Sequence, residues 1–266
     1  MITRLSEYIV EIEKFLNAWN VDNTQLYPWF RGHAKTNWEL CPTIFRHNYK
    51  DALTKEKIYN LEKQFVNIFK IRSIPFISTI PSKDVEWTFL MQHYGMPTRL
   101  LDWSESFLVA LYFAVNAYND PATKDNDGIV WILNPTALND WSVNRKEVFF
   151  ADDPLIESMF PFLNTKDHEY ESIAYPVAIQ PPRSNIRLRS QKGVFTLHGT
   201  DVGGIESIPS SYTKLDYHTE LLGNITVDAK FKNKIFNELC LAGITHSTIY
   251  NDLHAVCMEI KDQYHT

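Results

Sequence analysis

Two stretches of the chain concentrate side chains capable of chemistry. In "QHYGMPTRLLDWSESFLVALYFAV", residues 92–115, Gln92, His93, Tyr94, Thr98, Arg99, Asp102, Trp103 and Ser104 precede an almost wholly apolar run, and in "LYPWFRGHA", residues 26–34, Arg31 and Gly32 follow an aromatic one. A guanidinium offers a planar fork of donors to phosphate or carboxylate, and a carboxylate stabilises a developing positive charge. Burying either charge alone is costly, so Arg99 and Asp102 must pair, contact backbone or face a cleft. The polar groups around them outnumber what one ion pair needs.

Local patterns name the elements that carry these residues. Leu5, Ile9, Ile12, Leu16 and Trp19 form one stripe of an amphipathic helix over 4–19. "LYPWFRGHA" reads as a strand with Arg31 at its end, and 53–73 as a helix capped by Thr54 with Ile58, Leu61, Phe65 and Ile68 on one face. "KDVEWTFLMQHYG" is a second helix, capped by Asp84 and stopped by Gly95, which leaves Gln92, His93 and Tyr94 on its last turn. Pro97 forbids continuation, so Leu100 and Leu101 belong to a buried extended segment. Ser104, with Asp102 just ahead of it, then caps a helix over 106–117 that is greasy on all sides and therefore central.

Residues 127–135, 175–179, 193–199 and 212–218 read as strands, and 135–172 as an irregular excursion. A helix closed by Gly243 and a strand-then-helix pair in "ITHSTIYNDLHAVCMEIKD" end the sequence. The expectation is a single α/β or α+β domain over residues 1–266, a central mixed sheet covered by helices, with the N-terminal helix and residues 225–263 packing on it.

Bulk properties limit the function classes. The 26 Lys and Arg against 32 Asp and Glu, a net charge of -6, argue against tight binding to nucleic acid or an anionic membrane. Cys41, Cys240 and Cys257 are far apart, with no Cys/His cluster, so neither a disulfide framework nor a metal site is expected. Glu7, Glu11, Glu13 and Lys14 interrupt what a signal peptide would need, and no window suits a bilayer, which points to the cytoplasm.

"WFRGHA", "QHYGMPTRLLDWSESFLVALYFA" and "RSQKGVFTLHG" resemble the signature segments of the FRG domain, spanning roughly 25–200 in order. "IYNDLHAV" is similar to a late segment of such domains, with Asn251 where proline is often found. The family is similar, distantly, to ADP-ribosyltransferase folds, and occurs in bacteria and phages beside mobile elements. That resemblance implies a transferase or toxin of phage defence that uses NAD as substrate, with no metal and an acceptor that is protein, nucleic acid or water.

Under it Arg31 and Arg99 meet pyrophosphate, and Tyr94 and Trp103 stack on nicotinamide or adenine, with His93 and Thr98 beside them. Asp102, Gln191 or Glu171 supplies the decisive polar group, Glu171 through an ExE spacing with Glu169. The rival readings are a non-catalytic cleft that senses a nucleotide or partner, and a metal-dependent nuclease using Asp102, His93 and Glu171.

Overall fold

The computed structural model describes residues 1–19, 27–46, 55–117, 120–160, 173–182, 186–214 and 217–264. In chain order the elements are α1 (Leu5–Ala18), β1 (Trp29–His33), α2 (Lys55–Ser73), α3 (Asp84–His93), β2 (Leu100–Ser104), α4 (Phe107–Val115), β3 (Gly128–Leu133), α5 (Pro135–Val143), β4 (Phe149–Phe150), α6 (Pro154–Ser158), β5 (Val177–Gln180), α7 (Ile186–Ser190), β6 (Gly193–Leu197), β7 (Ser211–Lys214), β8 (Tyr217–Glu220), β9 (Leu222–Val227), α8 (Lys232–Leu241), α9 (His246–Tyr250) and α10 (Leu253–Tyr264). The fold is mixed α/β. Seven strands form one sheet in the order β4-β5-β6-β2-β1-β3-β9, antiparallel except for β4 beside β5.

The sheet is covered on both faces. On one side, α1, α4 and α8 bury Tyr8, Ile12, Leu111, Tyr112, Ile235 and Leu239 against Phe30, Val130 and Ile225. On the other, Trp29, Leu101, Trp103, Leu133 and Val194 pack with Leu138 of α5. The α4 helix earns its central place by composition: FLVALYFAV has no polar face to spend on water, and six of its residues are buried. β1 crosses it so closely that a Cβ added to Gly32 would lie 1.8 Å from the Ala110 carbonyl oxygen and 2.7 Å from the Ala114 nitrogen. Gly32 is thus a packing glycine, needed for backbone to meet backbone, and its bare Cα face is filled by α4 rather than open to a ligand.

Several local expectations shift, each for a physical reason. Arg31 lies in the middle of β1, opposite Trp131, not at its end. Lys83 precedes the first turn of α3, where Glu86 reaches back to its amide, and Asp84 is already helical. The α4 cap is Ser106, whose Oγ accepts from the Val109 amide; Ser104 is still the last residue of β2, its Oγ donating to the Gln191 carbonyl at 2.7 Å and accepting from the Ser106 amide at 2.9 Å. Thr54, the expected cap of α2, lies outside the described residues.

The buried stripe of α2 runs through Ile58, Glu62 and Val66, while Ile68 is half exposed. The stretch 212–218 enters two strands, β7 and β8, paired as a hairpin. The described part of 135–172 holds α5, β4 and α6, and the segment before α10 is the short helix α9, ended by Asn251 in the left-handed region at φ 50°. Gly95 likewise ends the turn after α3 at φ 77°.

Gly32→Ala is expected to lower stability by about 1–3 kcal/mol in urea unfolding, because helix backbone cannot move aside as a side chain can. An unchanged midpoint would show that α4 and β1 separate freely.

Candidate functional site

The sheet opens at its centre. β1 and β2 meet at one register position, Phe30 opposite Ser104, whereas β1 pairs with β3, and β2 with β6, at five positions each. Where they part, the Arg31 guanidinium takes over from the ladder. Its Nη1 donates to the Asp102 carbonyl at 2.5 Å and stands 4.0 Å from the Asp102 carboxylate, and its Nε donates to His33 Nε2 at 2.9 Å.

A hydrogen-bonded series continues from the acid. Gln92 Nε2 donates to Asp102 Oδ2 at 2.7 Å, Thr98 Oγ1 donates to Gln92 Oε1 at 2.6 Å, and Thr98 Oγ1 accepts from the Leu100 amide at 3.1 Å. Each link constrains the next: Thr98, fully buried ahead of β2, sets the amide orientation of Gln92, and Gln92 presents its NH2 to the acid.

Two clefts meet at the Arg31–Asp102 contact. The first, about 620 Å³, is lined by Gln92, His93, Tyr94, Asp102, Arg187 and Gln191, with the stacked Phe89 and Phe195 behind them. The second, about 540 Å³, is lined by Arg31, His33, Asn37, Trp38, Glu39 and Arg46, among others. The Asp102 side chain is 57% exposed and Arg31's only 17%. Burial pushes the Arg31 guanidinium down to about 10, with Asp102 opposing the shift and Arg46 adding to it.

His33 is driven to about 3 by burial and by the cations of Arg31 and Arg46, although the Trp38 backbone favours its proton. It is therefore neutral, with Nε2 free to accept from Arg31. In the first cleft His93 is also lowered, by burial and by Arg187.

The residues named from sequence divide clearly. Arg31, Asp102, Gln92, His93, Tyr94 and Gln191 come together around the two clefts, with Thr98 directly behind. Gln191 is held there by the Ser104 bond to its carbonyl, and its buried Nε2 has no partner. Arg99 does not face a ligand. It is 1% exposed, its Nε donates to Glu62 at 2.6 Å, and Nη1 and Nη2 donate to the carbonyls of His198 at 2.9 Å and Met159 at 2.7 Å.

Trp103 is core, its Nε1 donating to Thr196 Oγ1 at 3.1 Å, and so unavailable for stacking. Asp102 caps no helix and has no bond to Arg99; it lies within β2, where residues three apart point to opposite faces. Glu169 and Glu171 lie outside the described residues. Among the described residues no three His, Cys, Asp or Glu side chains gather as metal ligands would.

Sequence reasoning passed over Glu62, His33, Trp38, Arg46 and Arg187. Glu62 had a legible signal: an acid one turn from both Ile58 and Val66, on the face those residues bury, needs a cation.

Residues 27–123 match the family model of the FRG domain. The chain contains an FRG domain. The match runs from the approach to β1 through α4, and so covers Arg31, the α3 end, β2 and Asp102, while "RSQKGVFTLHG" and Gln191 lie beyond it. No curated protein matches the chain, and no solved structure does. No described helix is long and apolar enough to cross a membrane.

Two outcomes test the buried ionisable groups of this protein. Arg99→Met strands the Glu62 carboxylate and is expected to cost about 3–5 kcal/mol in denaturant unfolding, with the Arg99→Met, Glu62→Met pair milder than the single change. Equal losses in both would show that the ion pair is not what matters there.

His33 and His198 both sit near 3 in the fold, burial being the largest cause for each, against 6.5 for an ordinary imidazole. Below 6.5 the unfolded chain takes up protons that the fold refuses, so their contribution is complete above that pH and drains as pH falls toward 3. The expected slope is about 2 kcal/mol per unit between pH 6 and 5, measured by urea melts across that range. A flat profile would show that both rings titrate freely.

Proposed function

We propose that the paired clefts bind NAD and break its bond between nicotinamide and ribose, delivering ADP-ribose to water or to a macromolecular acceptor. The observation that carries this reading is the series Thr98–Gln92–Asp102–Arg31 at the mouth where β1 and β2 part, with an exposed carboxylate on one cleft and a sheltered guanidinium on the other. The reaction needs those two charges close together. As the C1′–N bond breaks, its electron pair leaves with nicotinamide, which becomes neutral, and positive charge gathers on the ribose ring.

Asp102 is the group suited to face that charge, and Gln92 orients it. The nucleophile then bonds to C1′ and gives up its proton, for which the same carboxylate is a suitable acceptor. Arg31 takes the pyrophosphate: its Nε and one Nη1 proton are committed to His33 and the Asp102 carbonyl, and the rest of its donor fork remains for phosphate. His93, Tyr94 and Gln191 surround the nicotinamide side, where Tyr94 is 66% exposed and free to cover a ring. Consuming a cell's NAD would suit a toxin or phage-defence effector of the kind the FRG resemblance implies.

The same Arg31–Asp102 contact also supports a second reading. Arg31 already bonds the Asp102 carbonyl and stands by its carboxylate, which would suit a cleft that senses a nucleotide without cleaving it. Nicotinamide release, followed by chromatography, separates the two.

Wild type is expected to consume NAD; Asp102→Asn to slow release at least about 100-fold; and Arg31→Lys to lose activity by weakening two-point contact while keeping its charge. Because Asp102 is exposed and caps nothing, its variant should melt within a few degrees of wild type. NAD bound but intact points to sensing, and no binding at all ends both nucleotide readings.

A further inference from the structure

The second cleft has chemistry of its own, on residues the sequence reading did not use. Arg46 follows a short helical turn, Thr43–Phe45, and holds the Cys41 carbonyl through Nε and Nη2 at 3.3 Å each. It is exposed and lines the same cleft as Arg31. Two guanidiniums in one cleft repel each other, and a polyanion between them relieves that repulsion. Among the described residues that line the cleft, the carboxylate is that of Glu39, near Cys41 Sγ at 3.7 Å.

Trp38 is 46% exposed although its edge meets the His33 ring at a 6.0 Å centroid distance. An exposed indole beside paired cations is a stacking surface for a planar base. His33 ties the two walls together. It is 4% exposed and lines the cleft; its Nε2 accepts from Arg31, so the ring proton sits on Nδ1, where the Trp38 backbone favours it.

We propose that this cleft is a nucleoside-diphosphate subsite, with the phosphates between Arg31 and Arg46 and the base against Trp38. It rests on the NAD reading for the identity of the whole substrate, and it adds which half binds where and which residues select it. Glu39 is suited to the ribose hydroxyls, since a carboxylate accepts hydroxyl protons and repels phosphate. Asn37 and Asn116, also on the cleft wall, have amides suited to base edges.

The test is calorimetric titration of the full chain with ADP, adenosine and inorganic pyrophosphate, for wild type, Arg46→Gln and Trp38→Leu, each checked for folding by circular dichroism. The expected pattern is ADP bound by wild type, weakened about tenfold by Arg46→Gln with adenosine little changed. Trp38→Leu is expected to weaken ADP and adenosine alike and to leave pyrophosphate unchanged. Folded wild type that does not bind ADP overturns the proposal. So does pyrophosphate bound as tightly as ADP with indifference to Trp38→Leu, or ADP affinity unchanged in both variants.

Should Arg46→Gln fail to fold after losing its bonds to Cys41, Trp38→Leu alone decides. The outcomes also part the two readings: the ADP pattern without nicotinamide release refutes cleavage and keeps the subsite, and NAD cleavage with ADP binding indifferent to both variants does the reverse.

Discussion

One buried guanidinium holds together parts of the chain that nothing local would join. Arg99, at the threshold of β2, reaches Glu62 on α2, the His198 carbonyl after β6 and the Met159 carbonyl after α6. A charge that deep is tolerable only if its donors are met, so α2, β2 and the ends of β6 and α6 must all arrive for any one of them to be stable there. The gain is geometric more than energetic, because a satisfied buried pair is worth little more than an apolar replacement while a broken one is costly. What it secures is the start of β2, and three residues further on β2 delivers Asp102 to the cleft.

The mouth between β1 and β2 follows from a competition between two ways of using the same strands. Full pairing would close the sheet and cover the Asp102 carbonyl with backbone. Instead the strands touch at Phe30 and Ser104 and then part, and Arg31 bonds the carbonyl from the side. Two constraints hold them in this arrangement: α4 presses on β1 at Gly32, and Ser104 fastens the far end of β2 to Gln191. The result is a cation and an acid held near each other but not consumed by each other, since 4.0 Å and unequal exposure leave both with unspent capacity. Such a pair is poorly screened on the arginine side and well hydrated on the aspartate side, which suits a polyanion at one end of a ligand and a developing cation at the other.

Much of this architecture was legible locally. The all-round apolar run at 107–115 could only be central, Gly95 and Pro97 had to end α3 and start an extended segment, and the Val and Ile of 129–132 made an interior strand, because each depends on a residue's own conformational preference or on the sum of its neighbours' hydropathy. The FRG signature was legible in the same way, and it drew attention to the segments that carry Arg31 and Asp102.

Tertiary structure alone decided the partnerships. Arg99 and Asp102, three apart, look like natural partners when written in a line. A strand turns them to opposite faces, so one meets Glu62, distant in sequence, and the other meets Gln92 and Arg31. Trp103 went to the core and Tyr94 to the surface because the pleat of β2 and the last turn of α3 dictate which way each points, not because of any difference in the rings. The sequence determined which elements form and which side chains are chemically able. Their contacts across strands and between helices, set by register and packing over long separations, determined which of those side chains share a cleft.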